Sequence, residues 1–537
     1  MCGAATQIIR VAALPLAASV LAASPGVGNA IQPDAPFAAW AEKNRDKWAE
    51  EDRQIDQRLE TLRKKFKKRP NIIYILTDDV GWGELGWQGG GKHRGTPTPE
   101  LDKLAFEGMR FWAAYAEPSC TPTRIAINTG RHPVRTGLLS VLWPGQSEGL
   151  SPDEVTVAEL LSKAGYHTAT WGKWHLGELP KHGPENQGYD YAYYGLWNGA
   201  PYAWPDAAEI YRGKSPAGHA LFYDFPGTEA YKNRAGIDLS HGFMQAPKGQ
   251  KRKPAPHETS QQGLLEYEQE CVRQMLAYIK EKAKSEKPFF IYWPSFTQQI
   301  ASDPDSLDKP FVDKQNAQAS FMAMHNDHVR SILDTLRSED IAENTLVVWY
   351  SDNGPMYGFW PTAGYSWLRG AKGDITEGGV RVPAMAWWPG MIAPNQAPVD
   401  MLHVTDLYTT AARLGGAMNF IPNDRIVDGI DQTALLLLGE GHGRRQCTFF
   451  YSGGTLAAVR WEQFKMHITG GAHGGLPGME IYNVMRDPGE KFGKMYPYLF
   501  AVTPFQNLIK SHKLLIQKFP HRVSKTMPEG AEITPHD

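Results

Sequence analysis

The sequence predicts an α/β protein in which helices cover both faces of a large, mixed but mostly parallel sheet. Short apolar runs of β-prone residues lie at 71–76, 166–171, 288–293 and 346–350, with segments of helical character between them. This alternation is typical of βαβ units, whose parallel strands are buried on both faces. After about residue 440 the chain changes to short alternating segments, which indicate a small antiparallel sheet.

The first 30 residues have the composition of a secretory signal peptide. Arg10 supplies a positive charge, residues 11–23 form an apolar run of small residues, and Gly28-Asn29-Ala30 provides a cleavage pattern. The apolar run is too short to span a bilayer. We therefore expect export to the periplasm or secretion, and no membrane span.

Residues 31–69 form a charged N-terminal extension with the pattern of an amphipathic helix. Apolar residues recur at helical spacing at four positions: Ile55, Leu59, Leu62 and Phe66. The basic run at 63–69 is typical of a solvated helix C-terminus, and Pro70 ends the helix.

The predicted catalytic domain covers residues 70–440, and a small C-terminal α+β subdomain covers residues 441–537. Helices are predicted at 98–108, 155–164, 266–284 and 320–336 in the domain and at 504–519 in the subdomain. The strands of the subdomain are predicted at 447–451, 456–460, 464–469 and 480–484. Residues 197–260 are rich in Gly, Pro, Tyr and Trp, and we interpret them as an insertion over the active-site edge.

Composition argues against several classes of function. A formal net charge of −2 over 537 residues does not direct the whole molecule to nucleic acid or to an anionic membrane. The spacing of the four cysteines matches neither a zinc site nor a dense disulfide framework. Most of the 17 tryptophans are expected in packing, and a minority are candidates for a platform that binds a sugar or aryl substrate.

Two predicted strands end in residues with oxygen ligands. Asp78 and Asp79 follow the first apolar strand of the domain, and Asp352 and Asn353 follow the last. In open α/β sheets, ligands bind at the carboxyl ends of the strands. Four oxygen ligands without sulfur or imidazole favour a hard cation, Ca²⁺ or Mg²⁺, over zinc.

The loop at residues 118–131 contains Cys120 just before a predicted helix. Backbone N–H groups and the dipole at a helix N-terminus favour anions, so we expect a lowered pKa for this thiol. Arg124 lies four residues later, about one helical turn, and should direct its guanidinium toward the same loop. Further along, Lys173 and His175 should point the same way from one extended segment.

The residues Cys-Thr-Pro-Thr-Arg at 120–124 resemble the Cys-x-Pro-x-Arg signature of the type I, formylglycine-dependent sulfatases. The string Gly-Lys-Trp-His-Leu-Gly at 172–177 resembles the second motif of that family, and the segments at 368–373 and 481–484 resemble later parts of it. The resemblance covers the chain from about residue 70 to 495. It implies an alkaline-phosphatase-like fold and an arylsulfatase-like hydrolase of sulfate monoesters.

The resemblance also implies a nucleophile and a metal centre. Cys120 would be oxidised to formylglycine (3-oxoalanine) by a formylglycine-generating enzyme, and a hydroxyl of the hydrated aldehyde would attack sulfur while bound to the metal. The metal, Ca²⁺ with Mg²⁺ as the alternative, would be held by that residue and by the four oxygen ligands: Asp78, Asp79, Asp352 and Asn353.

Further roles follow from the same resemblance. Lys173 and His175 would contact formylglycine and the sulfate group, and Lys372 would bind the sulfate. Arg124 would add a third positive charge against the oxygens of the transition state. Asp352 and His175 would act as general bases.

One position departs from the family. Many sulfatases of this type have a histidine shortly after the strand that is 289–293 here, and our alignment by eye places Ile300 at that position. Isoleucine can neither donate a proton nor pair with an anion, which leaves Gln298 and Gln299 as neutral donors to the substrate and Lys372 as a candidate acid. A shifted alignment would assign the role to another histidine: His241, His257 or His325. Without the acid, we expect the rate to depend steeply on the leaving-group pKa.

Two other functions fit the same residues. A phosphomonoester, phosphodiester or phosphonate ester hydrolase of the same superfamily would use near-identical motifs on another tetrahedral oxyanion. A catalytically silent binding protein would keep the fold and a metal without a working nucleophile, although Cys120, Pro122 and Arg124 are all present. The expected substrate is a small-molecule or carbohydrate sulfate ester.

Overall fold

The computed structural model describes residues 31–142, 146–199, 242–297, 303–356, 364–469, 480–493 and 496–522. The predicted signal peptide and residues 200–241 of the predicted insertion lie outside these ranges. Four candidate residues of the sequence analysis lie outside them: His241, Gln298, Gln299 and Ile300.

The described residues form the strands β1 to β17 and the helices α1 to α12. The strands are β1 Gln32–Pro33, β2 Asn71–Thr77, β3 Met109–Arg110, β4 Ala113–Tyr115, β5 His167–Lys173, β6 Tyr191–Gly195, β7 Phe243–Pro247, β8 Lys253–Pro254, β9 Phe289–Pro294, β10 Thr345–Ser351, β11 Ala384–Trp387, β12 Met401–His403, β13 Ile426–Val427, β14 Cys447–Ser452, β15 Thr455–Trp461, β16 Phe464–His467 and β17 Glu480–Asn483. The helices are α1 Ala35–Lys43, α2 Arg45–Phe66, α3 Pro99–Glu107, α4 Cys120–Thr129, α5 Pro133–Thr136, α6 Val157–Lys163, α7 Gln261–Ala283, α8 Ala317–Ser338, α9 Glu377–Val380, α10 Asp406–Gly415, α11 Thr433–Leu438 and α12 Leu499–Lys518.

A nine-stranded mixed sheet in the order β3-β11-β10-β2-β9-β5-β6-β7-β8 forms the centre of the molecule. The strands from β10 to β6 in that order run parallel to one another, and antiparallel strands extend the sheet on both sides. The central strands β2, β9 and β10 are buried along their whole length, because helices cover both faces. The predicted fold class is therefore confirmed.

The register of the two central strands determines where the polar strand ends meet. Strand β2 pairs with β10 from Asn71 opposite Thr345 to Thr77 opposite Ser351. Since the strands are parallel and in register to their last residues, the segments that follow them emerge side by side at one edge of the sheet.

The N-terminal extension packs against the main core through one face of α2. Ile55 and Leu62 are buried, and Leu59 and Phe66 are partly buried against the same core. The 3.6-residue pattern of the sequence therefore identified the buried face of this helix correctly.

A small antiparallel sheet in the order β14-β15-β16-β17 lies near the C-terminus. It shares a hydrophobic cluster with α12, in which Ala501 and Phe505 are fully buried. The helix begins at Leu499, five residues before the predicted start, and contains Pro504 in its interior. Proline is favoured in the first turn of a helix, which would place the start of α12 at Pro504. In the structure the helix extends five residues further toward the N-terminus, because packing of its apolar face stabilises it.

No helix in the described part of the chain is long and apolar enough to cross a membrane.

Candidate active site

A buried cluster of acidic side chains lies at the carboxyl edge of β2 and β10. Ligand atoms of Asp78, Asp79, Cys120 and Asp352 all lie within 4.8 Å of one another. Asn353, the next residue along, is buried as well, and its amide nitrogen donates a hydrogen bond to Asp79 Oδ1 at 2.7 Å. The structure thus brings together the five residues that the sequence proposed as metal ligands.

The backbone at the strand ends holds these carboxylates in place. Asp79 adopts a left-handed conformation, with φ of 61°, so the chain turns immediately after the strand. Its amide donates to Asp352 Oδ1 at 3.1 Å, and the amide of Val80 donates to Ser351 Oγ at 3.1 Å. These bonds cross from one strand end to the other and fix their relative position.

Cys120 is the first residue of α4 and is fully buried, with Sγ at 3.5 Å from Asp78 Oδ1. Burial raises the pKa of this thiol to about 12, and the charges of Lys173 and Lys372 only partly oppose the effect. The expectation of a lowered pKa was therefore wrong. The helix N-terminus does favour an anion, but loss of hydration in a fully buried position, together with nearby carboxylates, outweighs that preference.

Three cations surround the carboxylates, and each is paired with them. Lys173 Nζ donates a short hydrogen bond to Asp78, and Lys372 Nζ lies 2.6 Å and 2.9 Å from the two oxygens of Asp79. Arg124 Nη2 lies 2.8 Å from Asp352 Oδ2. Three carboxylates face three cations, so their formal charges cancel.

Arg124 faces inward rather than toward the opening of the loop. Its Nη1 donates to the carbonyl of Lys173 at 2.8 Å, its Nη2 also lies 3.8 Å from Asp78, and the side chain is fully buried. The sequence predicted a guanidinium directed toward the loop that contains Cys120. In the structure its Nη1 and Nη2 contact the neighbouring strand ends instead, and Nε has no hydrogen-bond partner among the described residues.

The two acidic residues respond differently to this environment. Although burial opposes ionisation, Lys173 and Arg124 hold the pKa of Asp78 well below its usual range. Burial and the negative charge of Asp78 raise the pKa of Asp352 to about 7. Two carboxyl groups with such different pKa values in one site are typical of groups with different catalytic roles.

His175 lies just beyond the end of β5 and is fully buried. Its φ of 54° shows that the segment does not remain extended past Lys173, so strand alternation does not explain its direction. Nε2 lies 2.8 Å from the carbonyl of Leu142, which requires the proton on that nitrogen, while the buried Nδ1 has no hydrogen-bond partner among the described residues. Burial and the charge of Lys173 lower the pKa of this imidazole well below its ordinary value. The ring is therefore neutral and presents a bare acceptor nitrogen.

One atom of the cluster in particular fits a hard divalent cation. Asn353 Oδ1 is buried and has no hydrogen-bond partner among the described residues. A buried carbonyl oxygen without a donor is costly unless a cation or water satisfies it. The surrounding donors are carboxylate oxygens, which suit Ca²⁺ or Mg²⁺.

Two glutamines and three histidines remain among the residues that the sequence proposed for the site. Gln298, Gln299 and His241 lie outside the described residues. His325 is enclosed between two tryptophans, and its Nε2 accepts a hydrogen bond from Trp349 at 3.0 Å. His257 Nε2 lies 2.6 Å from the hydroxyl of Tyr193. Tyr193 belongs to β6, which two strands, β9 and β5, separate from β2. Neither of these two histidines contacts a described member of the acidic cluster.

Sequence reasoning overlooked two threonines that flank Pro122. Thr123 Oγ1 donates to the carbonyl of Asp352 at 2.5 Å, and Thr121 Oγ1 donates to the carbonyl of His175 at 3.0 Å. They connect α4 to the segments after β10 and β5, so they position the nucleophile helix against both. Their place within the Cys-x-Pro-x-Arg string was the available signal.

The fold is that of a sulfatase. Residues 70–417 match the sulfatase family, and the chain belongs to that family. It is therefore a hydrolase that acts on sulfuric ester bonds, as the motifs predicted, and nothing favours the phosphoester alternatives.

Individual relatives are similar over most of their length. The N-acetylgalactosamine-6-sulfatase of Rattus norvegicus is 30% identical, over 86% of this chain and 87% of the relative. Arylsulfatase A of Homo sapiens is 32% identical, over 83% of this chain and 87% of the relative. Among solved structures, the PsFucS1 sulfatase from Pseudoalteromonas sp. is 31% identical with a TM-score of 0.79, covering 88% of this chain and 95% of that one.

Proposed function

We propose that this sulfatase is an exported enzyme that removes sulfate from carbohydrate esters. In this proposal Cys120 is converted to formylglycine, and the acidic cluster holds a divalent cation, Ca²⁺ in preference to Mg²⁺. The observation that carries this proposal is the position of Cys120 at the start of α4, directly against Asp78 and among the three cations. Relatives named for N-acetylgalactosamine 6-sulfate and for aryl sulfates support a sulfated sugar or an aryl sulfate as substrate.

The state of the Cys120 thiol supports modification. A thiol with a pKa of about 12 is protonated at neutral pH and is a weak nucleophile. When formed, formylglycine supplies an aldehyde whose hydrate carries hydroxyl groups in place of the thiol. The Cys-x-Pro-x-Arg sequence would be read by a formylglycine-generating enzyme before the chain folds around the buried residue.

The cation would be held by oxygens of Asp78, Asp79, Asp352 and Asn353 and by residue 120. When bound, it would add two positive charges to a site whose own charges cancel, and thereby favour an anionic ester. The structure supports this assignment through the mutual distances of the ligand atoms and the unpartnered Asn353 oxygen.

The protein's own groups can bind the ester and accept protons. Lys173 and Lys372 place ammonium groups beside Cys120, where they would hold sulfate oxygens. Nδ1 of His175 is an acceptor without a partner among the described residues, and the carboxylate of Asp352 lies within reach of residue 120, so both could accept a proton. Gln298 and Gln299 remain proposed as neutral donors to the substrate. Because position 300 is isoleucine rather than histidine, we still expect esters with poor leaving groups to react slowly.

A comparison of matched esters tests the proposed reaction. We expect kcat/KM on 4-nitrophenyl sulfate to exceed that on 4-nitrophenyl phosphate by at least about 100-fold, a difference of about 2.7 kcal/mol in transition-state binding. Cys120→Ala should abolish sulfate release without loss of folding, as judged by circular dichroism. A higher efficiency on the phosphate ester, or unchanged sulfate release by Cys120→Ala, would contradict the proposal.

Export rests on the N-terminal composition alone. We expect the mature protein recovered from the periplasm or the medium to begin just after Ala30, which N-terminal sequencing determines. An intact N-terminus on cytoplasmic protein would contradict it.

A further inference from the structure

An exposed tryptophan lies on the same loop as Lys372. Just over half of the Trp367 side chain, 54%, is accessible to solvent. Its ring lies 5.2 Å from that of buried Trp82, at an angle of 47°. Trp82 in turn contacts Trp87 edge-on and Trp112 at a tilt, so the exposed ring packs against a cluster of indoles.

The local backbone is built to accept this ring. Gly83 has a φ of 108°, and a Cβ at this position would lie 2.5 Å from the Trp367 indole. Only glycine allows both this conformation and the close approach of the ring. The hydroxyl of Ser366 donates to the carbonyl of Trp82 at 2.9 Å and holds the two segments together. A large apolar side chain kept exposed on such a support differs from a loosely attached surface residue.

Basic and aromatic side chains extend the surface beyond Trp367. The guanidinium of Arg94 lies 3.8 Å from the ring centre of Tyr365, and Lys92 Nζ lies 5.8 Å from that of Phe311, which is 69% exposed. The amide of Asp313 donates to the carbonyl of Gly95 at 2.9 Å, which holds this segment beside the turn that carries both cations. We call Lys92, Arg94, Phe311, Tyr365 and Trp367 the aromatic–basic surface.

The surface contains two cations, Lys92 and Arg94, and two carboxylates lie beside it, those of Glu84 and Asp313. Lys92 and His93 are exposed, and Arg94 is partly buried with Glu84 as a charged neighbour. Glu84 itself is buried and accepts a hydrogen bond from the amide of Tyr365 at 3.0 Å. Asp313, whose amide contacts Gly95 beside Arg94, is acidic and exposed. Lys92 forms no ion pair with another described residue, so its exposed ammonium is available to an anionic group of a ligand.

Two short segments of chain connect the aromatic–basic surface and its supporting indoles to the active site. Trp82 follows Asp79 by three residues, and Trp367 precedes Lys372 by five. At a maximum of ~3.6 Å per residue, their Cα atoms lie no more than ~11 Å and ~18 Å from those of the two site residues. A ligand whose sulfate occupies the active site would reach the surface with only a few further sugar units.

We propose that the aromatic–basic surface binds the neighbouring units of an anionic glycan, so that the substrate is a sulfated oligosaccharide or polysaccharide rather than a monosaccharide or a simple aryl sulfate. This inference rests on the proposed function and names its substrate class. Aromatic rings stack on the apolar faces of pyranose rings, and Lys and Arg pair with the sulfate or carboxylate groups of a glycan. The surface offers both kinds of contact, and the Cα atom of Trp367 lies within ~18 Å of that of Lys372.

Direct binding to inactive protein tests the surface independently of turnover. In the Cys120→Ala background, isothermal titration compares hexasaccharides of chondroitin 6-sulfate, fucoidan and ι-carrageenan with their own sulfated monosaccharides. We expect at least one hexasaccharide to bind about tenfold or more tightly than its monosaccharide, and Trp367→Ala to remove that advantage while leaving monosaccharide affinity unchanged. Tyr496→Ala, which removes a ring that is 83% exposed elsewhere, is the matched control and should change neither affinity. The inference is overturned if no hexasaccharide binds more tightly than its monosaccharide, or if the advantage survives Trp367→Ala.

Two further measurements separate this inference from the proposed function. In active protein without the Cys120→Ala substitution, Trp367→Ala should leave kcat/KM on 4-nitrophenyl sulfate within about twofold of its value without Trp367→Ala. An equal loss of kcat/KM on the aryl sulfate and on the hexasaccharide would contradict a glycan-specific role.

Lys92→Gln should weaken hexasaccharide binding and reduce the dependence of that binding on salt concentration, because one ion pair is lost. If the unsubstituted protein binds the hexasaccharide but releases no sulfate from any ester, the proposed function fails and the binding surface stands.

Discussion

Arg124 shows how a motif residue acts through its neighbours. Its guanidinium connects the carbonyl of Lys173 with the carboxylate of Asp352, so one side chain joins α4 to the ends of two strands. A planar group with several fixed donors is needed for this, whereas an ammonium provides a single centre of charge. Arg124 is therefore a positioning residue for the groups around Cys120.

Replacement of Arg124 by Lys should keep the charge and lose the geometry. We expect kcat on 4-nitrophenyl sulfate to fall about 100-fold, since small displacements of reacting groups have effects of that size, with a much smaller change in KM. Steady-state kinetics provide the measurement, with Arg330→Lys as a control at an exposed arginine. Wild-type kcat in Arg124→Lys would show that the connection is dispensable.

The sequence identified the residues of the site better than their chemical states. Residue types at strand ends and motif spacing were enough to bring Asp78, Asp79, Asp352 and Cys120 together. The pKa of Cys120 could not be derived in this way, because it depends on burial and on charges that arrive from distant parts of the chain. Local rules such as the helix dipole describe only one of these contributions.

At the scale of elements, the loop that carries Lys372 is anchored to the small C-terminal sheet. Lys465 on β16 donates to the carbonyl of Ile375 at 2.7 Å and lies 3.1 Å from Glu377 Oε1. Glu490 lies 3.2 Å from Lys465 and accepts a hydrogen bond from the amide of Glu377 at 2.8 Å. The ammonium of Lys465 thus sits between two buried carboxylates just behind the Lys372 loop.

Lys465→Met should affect both stability and catalysis. Loss of the ammonium leaves buried carboxylates undercompensated, which costs about 3–5 kcal/mol in the free energy of unfolding, and loosens the loop that carries Lys372. Urea denaturation and kcat on 4-nitrophenyl sulfate measure the two effects, and Lys513→Met, at an exposed lysine of α12, is the control. In a Lys372→Ala background the additional loss of kcat should largely disappear, and a fully additive loss would contradict the anchoring role.

Elements were predicted well wherever one periodicity dominated. Strands β2, β5, β9 and β10 of the central sheet follow from continuous apolar runs, the four strands of the small sheet from short alternating segments, and the buried face of α2 from the period of 3.6 residues. The other five strands of the central sheet were not predicted. The turn at His175 and the start of α12 at Leu499 did not follow, since a left-handed residue and an internal proline are tolerated only through tertiary contacts. The anchoring of the Lys372 loop likewise involves residues more than 80 positions apart, which no local pattern reveals.

At the scale of the whole molecule, the balance of charge in the site determines how the fold responds to the metal. Three carboxylates are already matched by three cations, so we expect the protein to remain folded without the ion. Ligands that bind only the folded state nevertheless stabilise it, by about 2.7 kcal/mol when present at 100 times their Kd.

Chelation should therefore lower the midpoint of thermal unfolding and abolish sulfate release, and both should return when Ca²⁺ is added. Differential scanning calorimetry with and without EGTA measures the first effect, and Asn353→Ala should show a smaller response to Ca²⁺ than the unsubstituted protein. Stronger restoration by Mg²⁺ would identify that ion instead. Full activity and an unchanged midpoint after complete removal of divalent cations would show that the acidic cluster holds no functional metal.

The most direct test of the account is the chemical state of residue 120 in active protein. Peptide mass spectrometry on the fragment that contains residues 118–124 distinguishes a thiol from an aldehyde at that position, and the same preparation is assayed for sulfate release. We predict that specific activity rises in proportion to the fraction of formylglycine and vanishes in preparations that carry only cysteine. An active preparation in which residue 120 is entirely unmodified cysteine would contradict it.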